Sequence, residues 1–188
     1  MVLTGHEQAG EALRYRTVLA AGTYDVEHQF LLDNQIRGGQ AGYQVLTPLT
    51  IKNSGLAVLV NRGWVSHGLD RRAVPEVRLN GVEAEVRGTI DNFPRVGFKL
   101  EGAEIPAPGW PSLVQVLDAE QLSGRLGYRV LPYQVLLDPD QRDGYVREWH
   151  QASLQPEKNQ GYALQWFSFA VVLMALYIWY GFKPRSRA

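Results

Sequence analysis

The run from Tyr162 to Phe182 constrains this chain more than any other feature: 21 residues without a charge. At 1.5 Å rise per residue, a helix of that length covers about 31 Å, the hydrocarbon thickness of a bilayer. A buried core helix would be shorter and would carry a polar stripe. Here only Gln165 and Ser168 interrupt, both in the first two turns. Tyr162 and Trp166 mark one end, and Tyr177, Trp179 and Tyr180 the other, as aromatic belts mark two membrane interfaces. The segment 162–182 therefore reads as a transmembrane helix, with an interfacial linker at 156–161 and a basic tail at 183–188. Lys183, Arg185 and Arg187 place the C-terminus in the cytoplasm or an organelle matrix, and the domain at 1–155 on the opposite, periplasmic or intermembrane-space side. A domain exported in this way needs a signal, and "MVLTGHEQAGEALRYR" contains no apolar run to serve as one. The expectation is an N-terminal membrane segment missing from this chain. The alternative is a tail-anchored, protein-binding domain that faces the cytosol.

The remainder of the chain can bury a core. Of 188 residues, 45% are hydrophobic and 20% charged, which excludes a disordered polymer. Outside the tail there are 16 basic against 19 acidic residues, a net of −3, so no basic face for nucleic acid is expected. The absence of cysteine removes disulfides, thiolate metal sites and thiol catalysis. Two methionines make a poor Cu(I) carrier.

Between residues 14 and 137 short strand-like runs alternate with turn residues. "RYRTVLAAGTYDVE" is β-branched and aromatic around Gly22, read as a bulge or kink. "QFLLDNQ" and "GYQVLTPLTI" flank the glycine-rich loop "IRGGQAG". "LAVLVNRGWV" is a near-continuous apolar run, the pattern of a central strand buried on both faces, joined to its predecessor by the turn "KNSG". "EAEVRGTID" alternates, with Val86, Gly88 and Ile90 on one face. A Pro- and Gly-rich connection at 92–111 leads to "PSLVQVLD", then to a helix in "DAEQLSGRLG" with Asp118 as N-cap and Gly127 as stop. Pro132 in "YRVLPYQVLLD" suggests an edge or a bend. The class is mainly β (α+β): an antiparallel barrel or sandwich-like domain, then one C-terminal transmembrane helix.

No catalytic constellation is legible, and the chain does not read as an enzyme. His6, His28, His67 and His150 are scattered, with no pair at helical spacing. "GGQAG" lacks the lysine and the strand–turn–helix setting of a phosphate loop, and no G-x-S-x-G elbow occurs. The densest signal is "LVNRGWV". Arg62 could hold a carboxylate or propionate, and Trp64 could stack on a ring. The structural alternative has Asn61 and Gly63 making a strand-end turn, Trp64 filling the core and Arg62 pairing with an acid.

"YRTVLAAGTYD", "FLLDNQ…GYQVLTPL", "LVNRGWV", "WPSLVQVLD" and "PEKNQGYALQWFSFA" occur in the order seen in the Surfeit locus protein 1 family, the Shy-type cytochrome c oxidase assembly factors. The resemblance spans about residues 14–182, and "LLDN" with "GYALQWF" resembles γ-proteobacterial members. It implies an inner-membrane protein with two spans and an intervening exported domain. The implied role is assembly of haem–copper oxidase, with haem delivery or insertion into the catalytic subunit. The partners it implies are that subunit and membrane lipid, and haem, with haem a one candidate, is the implied cofactor. Family members often carry a histidine just before the last span, a candidate haem ligand; this chain has Asn159 there. An amide is a poor substitute for imidazole at iron. Haem contacts would then fall to Asn159, Tyr162, Trp166, Arg62 and His150, and partner contacts to Gln165, Arg62 and Trp64.

Overall fold

The computed structural model describes residues 1–5, 7, 12–68, 75–79, 81–94, 97, 101–149 and 156–182, with 156–160 and 182 described by backbone alone. The chain divides into two compact units, Met1–Trp149 and His150–Ala188.

The described residues of the first unit form seven strands, β1 (Thr17–Tyr24), β2 (Phe30–Arg37), β3 (Gln40–Ile51), β4 (Ala57–Ser66), β5 (Glu83–Asn92), β6 (Ser112–Val114) and β7 (Val130–Leu137), and a helix α1 (Ala119–Leu126). Five of the strands close into a barrel in the order β1–β5–β7–β4–β3, with β3 returning to β1. Closure removes the free edges that an open sheet would present. It also decides between the barrel and the sandwich. Four of the five pairings are antiparallel; β4 and β7 run parallel. This is a five-stranded Greek-key barrel of the kind seen in OB-folds, an architecture that hosts unrelated functions and so does not name one. β2 and the short β6 extend the sheet beyond β3.

Period-2 alternation supplies the core. Val18 and Ala20 of β1, Val86 and Ile90 of β5, and Val58 and Val60 of β4 point inward with Tyr133 and Val135. Leu59, on the opposite face of β4, packs instead with Phe30, Leu46 and Leu122 of α1. β4 is therefore buried on both faces, as its unbroken apolar run predicts. Asp118 caps α1 by accepting from the N–H groups of Glu120 and Gln121, and Gly127 ends it at φ 78°.

Three local expectations change. Gly22 is neither bulge nor kink: it pairs in register with both Ala84 and Ile51. A Cβ there would lie 2.1 Å from the Thr50 carbonyl oxygen, so glycine permits β1 to close on β3. "IRGGQAG" is a tight hairpin and not a loop, because Gly38 (φ 55°) and Gly39 (φ 78°) make a two-residue turn with positive φ at both positions. Pro132 lies in an interior strand. The β4–β7 register slips between Ala57 and Leu59, which holds the proline out of the ladder.

In the second unit a single helix, α2, runs Pro156–Phe182. Its segment Gly161–Gly181 has a mean hydropathy of 1.6 and is the one helix among the described residues long and apolar enough to cross a membrane. Residues 156–161, read from the sequence as an interfacial linker, are helical, with proline at the first position, where a missing N–H costs nothing. The tail at 183–188 lies outside the described residues.

Candidate functional site

The motif Asn61–Arg62–Gly63–Trp64 lies at the end of β4, and each residue has a separate task. Asn61 is fully buried and donates to the side-chain oxygens of Gln44 (2.9 Å) and Gln134 (3.0 Å), while its own oxygen accepts from the Gly63 N–H. Gly63 adopts φ 110°, and a Cβ would sit 2.7 Å from the Val146 carbonyl oxygen. Only glycine suits that backbone and that contact.

Arg62 is 1% exposed. Its Nε donates to the Asp143 carbonyl (2.7 Å) and its Nη2 to the Arg78 carbonyl (2.6 Å). Nη1 reaches Gln29 Oε1 (3.0 Å) and Thr47 Oγ1 (3.4 Å), and the guanidinium lies 5.1 Å from the Tyr145 ring centroid. Burial lowers its pKa, and Tyr145, Tyr24 and Asp143 counter part of that shift. The guanidinium thus ties together the β1–β2 connection, residues 75–79 and the segment after β7. Arg62, expected from the sequence to hold a propionate or contact a partner, is placed with its guanidinium committed to Asp143, Arg78, Gln29 and Thr47.

Trp64 is half-buried and does not fill the core. Its Nε1 donates to the Gln35 carbonyl (2.8 Å), and its ring occupies the space over Gly42. With Arg37, Gly38, Gln40 and Glu148 it lines a surface cleft of about 440 Å³. Arg37 lies over the indole at 6.0 Å and is ion-paired with Glu148. This is an aromatic–guanidinium shelf on the surface of the barrel unit.

A second constellation was not foreseen. Asp25, in the β1–β2 connection, accepts from Tyr128 OH (2.7 Å) and faces His28 Nδ1 at 2.8 and 2.9 Å. Burial pushes the Asp25 carboxyl upward, but hydrogen bonds from Tyr128 and His28 outweigh it and hold the carboxyl below its ordinary range. Burial, then the bond to Asp25, raises the Tyr128 phenol. Trp110 packs edge-on against the His28 ring at 4.7 Å, and Arg125 covers the Trp110 ring at 4.7 Å. The three polar residues lie 103 positions apart at most, so no local motif could announce them.

The described histidines differ in what they offer. His67 Nε2 faces Asp33 Oδ1 at 3.2 Å, its ring stacks on Tyr43 at 4.1 Å, and Nδ1 is buried without a partner. His28 has its Nδ1 held by Asp25 and a side chain 40% exposed. His6 and His150 lie outside the described residues, and so does the side chain of Asn159. Among the described residues no group of three or more His, Cys, Asp or Glu could enclose a metal ion.

On α2, Tyr162, Gln165 and Trp166 are exposed along the apolar segment. At about 100° per residue, Trp166 falls about 20° from Asn159 around the axis and Tyr162 about 60°, while Gln165 lies about 120° away. Three of the four positions share a side and Gln165 flanks them. Ser168 donates its hydroxyl proton to the Leu164 carbonyl (2.8 Å), while the Gln165 amide has no hydrogen-bond partner among the described residues.

The sequence model of the SURF1 family matches residues 2–171, which takes in the barrel and the first half of the apolar helix. The chain belongs to the SURF1 family. Membership gives this SURF1-family chain a role in cytochrome c oxidase assembly, and the apolar helix gives it a means of membrane anchoring. No curated protein sequence matches it. Of the sequence-predicted contacts, Asn159 brings an amide and Arg62 is enclosed, and of the two described imidazoles His28 has the more exposed side chain, 40% against 15% for His67.

Proposed function

We propose that this chain assists haem delivery or insertion into the catalytic subunit of a haem–copper oxidase, by binding and not by turnover. It would be held in the inner membrane by α2 with the barrel on the periplasmic or intermembrane-space face. The observation that carries this reading is the pairing of two features in one family member. One is a rigid barrel that presents an aromatic–guanidinium shelf at Trp64, Arg37 and Glu148. The other is a membrane helix whose Gln165 is without a hydrogen-bond partner among the described residues. A polar amide in a span is satisfied by another helix, and a membrane-embedded oxidase subunit would supply one. Tyr162 and Trp166 add a stacking surface for a macrocycle or a partner at the same depth.

Deleting the gene and recording reduced-minus-oxidised spectra of membranes tests the assembly role. A loss of the haem a signals with normal b-type cytochromes is expected; an unchanged oxidase spectrum refutes it. Side-specific labelling of a cysteine placed at Lys52 tests the orientation. Labelling from the cytosolic side would favour the tail-anchored alternative.

A further inference from the structure

Trp64 and Glu148 both sit on pinned backbone. The Trp64 N–H donates to the Val146 carbonyl (2.8 Å), and the Trp64 carbonyl accepts from the Val146 N–H (3.2 Å). The indole Nε1 is tied to the Gln35 carbonyl, and a Cβ on Gly42 would lie 2.5 Å from Trp64 Cε2, so the ring lies flush against β3. Glu148 stands between two anchored neighbours. Arg147 donates to the Asp138 and Gln141 carbonyls (2.5 and 2.8 Å), and Trp149 Nε1 donates to the Leu137 carbonyl (2.8 Å). Arg37 is placed differently. It closes the two-residue hairpin turn, and Gly38 and Gly39 have open space where a Cβ would be. Its guanidinium is ion-paired with Glu148 and lies over the Trp64 ring at 6.0 Å, with no other polar partner among the described residues.

These groups form a cation receptor with a cation already in it. An indole face attracts a guanidinium through the ring quadrupole, and a carboxylate takes it by charge-assisted hydrogen bonds. The occupant is weakly held. Arg37 is 33% exposed and Glu148 60%, and ion pairs this open to water contribute little, because solvent and salt screen them. A separation of 6.0 Å is the outer limit of a cation–π contact. The cleft is also larger than its occupant needs: about 440 Å³ lies open between Arg37, Gly38, Gln40, Trp64 and Glu148, within the size range of ligand sites. Gly38 has no side chain to obstruct it, and Gln40 adds an amide. Outside the tail the chain carries 16 basic against 19 acidic residues, which favours a basic visitor. Among natural groups, the planar cation that suits an indole and a carboxylate together is the arginine side chain of another protein.

We infer that Trp64 and Glu148 form a docking point for an exposed arginine of a partner protein, and that Arg37 is the internal stand-in which that arginine displaces. This rests on the reading of the shelf as a partner surface and names the chemistry of the partner. The gene-deletion spectra decide the assembly role separately, so one can fail without the other.

The test uses the full chain in detergent micelles, labelled with 5-fluorotryptophan and followed by fluorine NMR. Trp64→Phe identifies the Trp64 resonance. Three capped pentapeptides serve as probes, each with a central residue between pairs of glycines: arginine, lysine or the uncharged isostere citrulline. The arginine peptide should move the Trp64 resonance saturably, the lysine peptide should bind more weakly, and the citrulline peptide should not bind. Arg37→Ala should tighten arginine-peptide binding about 2–6-fold, the competition factor of an exposed ion pair. Glu148→Gln should remove saturation. Lys52→Ala, which takes the same charge from the surface just after β3, should bind as wild type does. Circular dichroism and the thermal midpoint check that each variant is folded. Unchanged or weaker binding by Arg37→Ala overturns the stand-in, and equal tightening by Lys52→Ala reduces the effect to net charge and overturns it too. Equal binding of the lysine or citrulline peptide overturns recognition of arginine. If neither wild type nor Arg37→Ala shifts saturably, the inference is overturned outright.

Discussion

Replacing Arg62 with methionine tests whether the family motif is a structural joint. The substitution keeps most of the apolar stem and removes the guanidinium. Four acceptors lose their donor: the Asp143 and Arg78 carbonyls, Gln29 Oε1 and Thr47 Oγ1. The last two retain each other through the Thr47–Gln29 hydrogen bond of 2.9 Å. The two carbonyls, in part-buried bonds, lose a charge-assisted donor each, and a hydrogen bond to a charged group is worth about 1.5–3 kcal/mol. Relief from burying a cation offsets part of that total. The net expectation is a loss of about 2–4 kcal/mol, read from urea unfolding of the barrel by tryptophan fluorescence. Amide exchange should accelerate first at 75–79 and 141–145, the segments whose carbonyls Arg62 holds. Arg62→Lys should recover only part of the loss, because an ammonium cannot span acceptors set out for a fork. If Arg62→Met unfolds within about 0.5 kcal/mol of wild type, the range of an ordinary surface change, the keystone reasoning is wrong.

Two further outcomes follow from neighbouring geometry. Gly63→Ala must hold φ 110° with a Cβ 2.7 Å from the Val146 oxygen, so it should cost at least about 2 kcal/mol in the same assay; a neutral result would mean that the β4 end relaxes freely. Asp25 has a folded pKa below its unfolded one, so its contribution is present above about pH 4 and is lost as pH falls through the folded value. Wild type should therefore lose stability more steeply than Asp25→Asn as pH drops from about 4, and parallel curves would contradict the Asp25–Tyr128–His28 arrangement.

Much of this protein was decided by local pattern. The apolar run after Tyr162 requires a helix that can cross a bilayer, because its length and lack of charge allow little else. Asp118 and Gly127 bound α1 through short-range hydrogen bonds and a left-handed stop. Alternation in "EAEVRGTID" assigns Val86, Gly88 and Ile90 to the core because successive side chains on a strand face opposite ways. The motif "LVNRGWV" was visible as a dense signal, but not its purpose. Whether Arg62 meets a ligand or three backbone segments depends on where residues 29, 78 and 143 arrive, and only barrel closure brings them there. Closure itself was illegible for a similar reason. Gly22 reads as a kink until β3 is known to pass 2.1 Å from where its Cβ would be. Asp25, His28 and Tyr128 are the clearest case: no spacing links them, because hydrogen bonding is set by distance in space and the chain travels through five strands between the first and the last. Sequence alone settles what each segment can be. Which side chains meet, and so whether an arginine is a site or a joint and whether a histidine is open or sealed, is decided by the tertiary fold.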